Sequence, residues 1–82
     1  MEWTHPDFPR IVISPNICFG KPRIKDSRFP ISSILDYLAS GMTIDAFLSE
    51  FDYLTREDVL QALAFSSLMM QDKFVQLQTV EA

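Results

Sequence analysis

Beyond Pro30 the apolar positions recur with the period of a helix. Ile31, Ile34, Leu35 and Leu38 fall at i, i+3, i+4 and i+7, and Gly41 stands where a left-handed C-terminal cap is expected. Thr43 then offers a side-chain cap, and Ile44, Phe47, Leu48 and Phe51 repeat the same spacing. After a turn at Asp52-Tyr53-Leu54, Thr55 opens a third helix, with Asp58 three residues on in a near-capping-box arrangement. Glu57 and Asp58 lie in its first turn, where the helix dipole favours negative charge. Val59, Leu60, Leu63 and Phe65 are the expected buried face of this helix. Residues 31–70 therefore read as a three-helix bundle, and its second and third helices have helix-turn-helix proportions.

The first thirty residues read differently. All five prolines (Pro6, Pro9, Pro15, Pro22, Pro30) lie here, and proline lacks the amide a helix interior needs. Between them sit short β-prone pieces, Ile11-Val12-Ile13 and the alternating Arg23-Ile24-Lys25, the latter followed by Ser27-Arg28-Phe29. Gly20-Lys21-Pro22 and Asp26-Ser27 read as turns. Such a ribbon is stable only when packed on helices or on another copy. The tail, 71–82, scatters Phe74, Val75, Leu77 and Val80 among polar residues; it extends the third helix or stays loose until a partner orders it. The expected fold is mainly α in one domain, 1–82: a β-ribbon arm (1–30), a three-helix helix-turn-helix bundle (31–70) and a C-terminal tail.

Composition adds a constraint. The 82 residues are 48% apolar and 22% charged, the balance of a folded chain with a thin core. One cysteine and one histidine supply neither an internal disulfide nor a four-ligand zinc site, so self-association through the ribbon is the expected staple, giving a strand-linked homodimer. No apolar run nears the ~18 residues of a membrane span, and no charged start leads into an apolar stretch. A cytoplasmic, reducing location with no membrane contact is expected.

The net charge of −4 argues against a protein that coats nucleic acid, yet it hides a split. Residues 1–30 carry five basic residues against three acids. Residues 31–82 carry two against eight. A +2 arm on a −6 body marks an interaction surface, or else a ribbon kept soluble by its lysines and arginines.

No catalytic set emerges. Cys18, between Ile17 and Phe19, reads as a small buried hydrophobe, and His5 lies in a proline-flanked stretch. Phe19-Gly20-Lys21-Pro22 lacks the second glycine and the hydroxyl residue of a phosphate loop. Met69-Met70 suits gap filling. The expectation is a protein that is not an enzyme and takes no cofactor or metal.

The stretch Ser14-Pro15-Asn16-Ile17-Cys18-Phe19-Gly20-Lys21-Pro22-Arg23-Ile24-Lys25-Asp26-Ser27-Arg28-Phe29-Pro30-Ile31 resembles the signature of a prokaryotic family, domain-of-unknown-function family 433. That signature has a cysteine, then Gly-Lys-Pro, then Gly-Thr-Arg-Ile-Pro-Val; here the parts are Cys18, Gly20-Lys21-Pro22 and Asp26-Ser27-Arg28-Phe29-Pro30-Ile31. The likeness continues through Ala39-Ser40-Gly41-Met42-Thr43, Tyr53-Leu54-Thr55-Arg56-Glu57-Asp58-Val59 and Ala62-Leu63-Ala64-Phe65. Asp26 and Ser27 depart from the usual glycine and threonine; aspartate tolerates a left-handed turn, but adds a negative charge to the basic cluster.

The resemblance implies a dimeric, antitoxin-like helix-turn-helix protein of a type II toxin–antitoxin pair. Its partners would be a PIN-like ribonuclease toxin and the operator DNA of its own operon. On this reading Lys21, Arg23, Lys25 and Arg28 touch phosphates, while Thr55, Arg56 and Gln61 face the groove from the third helix. Phe74, Val75, Leu77 and Val80 hold the toxin. The alternative is a protein-interaction module that binds no nucleic acid.

Overall fold

The computed structural model of the protein describes residues 2–72. Three strands, β1 (Trp3–His5), β2 (Phe8–Ile13) and β3 (Arg23–Ile24), form one antiparallel sheet in the order β1-β2-β3. Helices α1 (Ile31–Ala39), α2 (Ile44–Glu50) and α3 (Arg56–Asp72) follow. The boundaries after Pro30 fall where the apolar period places them.

β2 carries a proline, which cannot donate to a ladder. The register absorbs it: Thr4 pairs with Val12 but His5 pairs with Phe8, so Pro9, Arg10 and Ile11 lie within an irregularity. The Thr4 hydroxyl donates to the Ile11 carbonyl at 2.9 Å, replacing part of what the interrupted ladder loses. β1 itself was not anticipated, because Trp3-Thr4-His5 is too short to show a period.

The outer edge of β3 is already occupied by the chain that follows. Ile24 N–H donates to the Phe29 carbonyl and Ile31 N–H to that of Pro22, both at 3.0 Å, and Arg23 bridges Pro30. Asp26 adopts φ 63° at the turn between them, the left-handed conformation its side chain tolerates. The Ser27 hydroxyl both donates to the Ile24 carbonyl and accepts from Phe29 N–H, closing the turn.

Local residues mark the helix ends. The Thr43 hydroxyl accepts from Ala46 N–H at 3.0 Å at the start of α2, and Gly41 takes φ 103° after α1. A reciprocal capping box opens α3: Asp58 N–H donates to the Thr55 hydroxyl and Thr55 N–H to the Asp58 carboxylate.

Ile11 and Ile24 face each other across β2 and β3 and bury against Ile31, Ile34, Phe47, Leu54, Val59, Ala62 and Phe65. An aromatic cluster joins the elements at one end. The rings of Phe29, Tyr37 and Phe47 lie 5.0–5.1 Å from that of Phe51, and Phe29 and Tyr37 each lie 5.8 Å from Phe47. At the other end, Phe8 meets Phe65 edge-on at 5.7 Å.

The inward face of α3 differs from the expected one. Asp58, Val59, Ala62 and Phe65 point in, whereas Leu60 and Leu63 are solvent-exposed, Leu60 at 46%. Helix α3 packs on β2, and Ala62 lets the backbones approach. The rotation of the helix is fixed by a carboxylate. Asp58, 1% exposed, accepts from Arg10 Nε at 2.6 Å. Arg10 N–H donates to the Gln61 side chain at 2.8 Å, so β2 is held by two residues one turn apart on α3.

Removing one member of a buried ion pair typically costs about 3–5 kcal/mol, and losing a cap alone about 1 kcal/mol. Because Arg10 is 34% exposed and is rehydrated when its partner goes, Asp58→Ala should lower stability by less, about 2–4 kcal/mol, and Thr55→Ala by about 1 kcal/mol, read from urea unfolding midpoints. Equal losses for the two variants would show that the clamp to Arg10 contributes nothing beyond the cap.

Candidate nucleic-acid interface

Two loops flanking β3 carry the basic residues. The first, after β2, is drawn tight by Ile17 N–H donating to the Ser14 carbonyl at 3.1 Å. A single turn, Cys18–Gly20, follows, in which Cys18, Phe19 and Gly20 all have positive φ (54°, 55° and 74°). It is closed by Gly20 N–H to the Ile17 carbonyl and Lys21 N–H to the Cys18 carbonyl, at 3.1 and 3.0 Å. For residues with a Cβ this conformation costs about 1–2 kcal/mol each. The second loop is the Asp26–Ser27 turn. The Cys18 thiol donates to the Arg28 carbonyl at 3.3 Å and ties the two loops together.

Lys21, Lys25 and Arg28 are exposed on these loops, and no ion pair among the described residues engages them. Arg23 has a different place. Its guanidinium is buried on the face of the sheet opposite the core, donating to Glu2 Oε2 at 2.8 Å and to the Ser14 hydroxyl at 3.1 Å. Its Nε is buried with no acceptor among the described residues. An arginine so enclosed serves the attachment of β1, and the exposed cations of the cluster are the other three.

At the start of α3, Thr55 is exposed but its hydroxyl already accepts the Asp58 amide. Arg56 is exposed and pairs with the exposed Asp45 of α2; a surface pair of this kind is worth little and exchanges readily for another anion. Gln61 is half-buried with its amide committed at both ends, accepting from Arg10 N–H and donating to Glu57 at 2.8 Å. Asp58, in the same turn, is buried against Arg10. One side chain links the loops to this helix start, since Arg10 also donates to the Lys25 carbonyl at 3.4 Å. Phe74, Val75, Leu77 and Val80 lie outside the described residues.

Two features escaped the sequence pattern. Phe19 is 97% exposed at the tip of its strained turn. An apolar groove of about 300 Å³ runs between α1 and the C-terminal half of α3, lined by Pro22, Ile31, Leu35, Phe65, Met69 and Met70. Phe65 and Met69 also line a neighbouring cleft against Trp3 and Ile13, so the apolar surface continues round α3 to the sheet.

The protein is thus a small domain in which a three-stranded antiparallel sheet packs on three helices. Residues 11–66 match the model of the family described as "Protein of unknown function (DUF433)", and the chain belongs to that family. The structure is similar to the crystal structure of a DUF433 member protein from Anabaena variabilis, with a TM-score of 0.72 at 27% identity. The match covers 77% of this chain and 62% of that one. No curated protein matches the chain.

The hydrogen bond from Arg23 lowers the pKa of Glu2 below the ordinary carboxylate value, reinforced by the Arg23 charge and opposed by desolvation. A carboxyl whose folded pKa is depressed contributes its stability above the unfolded value and loses it as pH falls through the folded one. Acidification below about pH 4 should therefore loosen β1, and Trp3, next to Glu2, reports it by fluorescence. In Glu2→Gln this acid transition should be absent; its persistence would assign it to another group.

Proposed function

We propose that the protein is an antitoxin-like helix-turn-helix protein of a type II toxin–antitoxin pair, which binds operator DNA and neutralises a PIN-like ribonuclease. The observation that carries this reading is the presence of two separate recognition surfaces on one small body. Lys21, Lys25 and Arg28 project from loops joined by the Cys18–Arg28 hydrogen bond, while an apolar groove lies between α1 and α3.

On the DNA side, the three loop cations neutralise phosphates, and Arg56 at the start of α3 joins them by leaving Asp45. Thr55 sits beside Arg56, where the first turn of the second helix of a helix-turn-helix approaches the bases. Arg23 and Gln61 act indirectly: one fixes β1, the other fixes α3 to β2. On the toxin side, the groove that ends at Met69 and Met70 offers an apolar surface to a partner. The outer edge of β3 is already hydrogen-bonded by the residues that follow it, so a homodimer would not pair through that edge.

Binding to the promoter of its own operon, followed by gel shift at two salt concentrations, should weaken with salt. Replacing Lys21, Lys25 and Arg28 by Gln should reduce the salt slope by about 3, one per lost phosphate contact. No binding at low salt would remove the DNA role. Co-purification with the product of the adjacent gene, lost on Met69→Asp, would then stand as the mark of a pure protein-interaction module.

A further inference from the structure

A fully exposed phenylalanine held in a left-handed conformation serves no packing purpose, and its surroundings are not those of a protein-docking patch. Phe19 lines an open cleft of about 520 Å³ with Pro15, Asn16, Cys18 and Arg28. Lys21 follows two residues later, and the Cys18 thiol bond to the Arg28 carbonyl fixes the position of the second loop against the first. An aromatic face, a guanidinium and an amide that can both donate and accept thus border one space.

We propose that this cleft binds an unstacked nucleotide of a single-stranded nucleic acid. The base stacks on the Phe19 ring, the Asn16 amide meets its edge, and Arg28 and Lys21 hold the flanking phosphates. Stacking on an aromatic ring is tolerant of sequence because every base has a π-face. The cleft is open, so an unpaired base can reach the ring, whereas a paired base in a duplex presents no free face to Phe19. Protein hot spots instead place aromatics within well-packed apolar surroundings depleted of lysine; here Phe19 is 97% exposed and shares its cleft with Arg28. This site goes beyond the operator reading, since it concerns unpaired strands.

The chain turns through positive φ at Cys18, Phe19 and Gly20, and only glycine takes such angles without steric cost. The ring is therefore displayed at the expense of the fold, which gives the test two independent readouts. In fluorescence anisotropy of the full chain with labelled oligothymidylate and oligouridylate, Phe19→Ala should weaken binding about tenfold. Phe19→Gly should weaken it equally while raising the melting temperature, and Phe19→Trp should retain it. A duplex of mixed sequence, run alongside, reports the operator reading separately: duplex binding that persists in Phe19→Ala leaves that reading standing whatever the single strands do. Equal single-strand binding by the parent chain and Phe19→Ala would overturn the proposal. So would failure of the parent to bind either oligonucleotide, or a Phe19→Ala defect confined to capture of a protein partner.

Discussion

One carboxylate decides how the two halves of this protein meet. Asp58 closes the capping box at the start of α3 and, with its other oxygen, receives Arg10 from the sheet. A buried carboxylate is costly to hold unless its lone pairs are filled, and here an arginine and a backbone amide fill them. The rotation of α3 follows from that demand. With Asp58 turned inward, Val59, Ala62 and Phe65 share its face and enter the core, and Leu60 and Leu63 are carried outside. A helix set by hydrophobicity alone would have buried the leucines.

This explains where sequence reasoning held and where it stopped. The helices were legible because caps and period are local: Thr43, Gly41 and the Thr55–Asp58 pair act within four residues of the ends they mark. The inward face of α3 was legible at Val59 and Phe65 but not at Asp58, because the partner that makes Asp58 a core residue stands 48 positions away. Arg23 presents the same lesson. Its place among lysines and arginines suggested a surface cation, yet Glu2 and Ser14 enclose it beneath the end of β1. Single-chain charge counting cannot tell a paired, buried arginine from a solvated one.

The Arg10–Asp58 and Glu2–Arg23 ion pairs also divide labour by what each buries. In the first the carboxylate is enclosed and the arginine half-exposed; in the second the arginine is enclosed and the carboxylate half-exposed. Both join an N-terminal residue to a distant element, where a thin core leaves the sheet least held. The left-handed turn at Cys18–Gly20 belongs to the same economy of local tethers, since the thiol and the tight backbone bonds fix its loop without any apolar contribution from Phe19. Nothing in the hydropathy of that stretch distinguishes a displayed phenylalanine from a buried one.

Arg10 touches three parts of the molecule: the carboxylate of α3, the Gln61 amide through its own backbone, and the Lys25 carbonyl at the edge of the basic turn. Arg10 thereby ties the Lys25 turn to the start of α3. A molecule seated on the cationic loops and another seated on α3 would be neighbours across that tie. Which pairs of ligands can be carried together is then a question of their bulk.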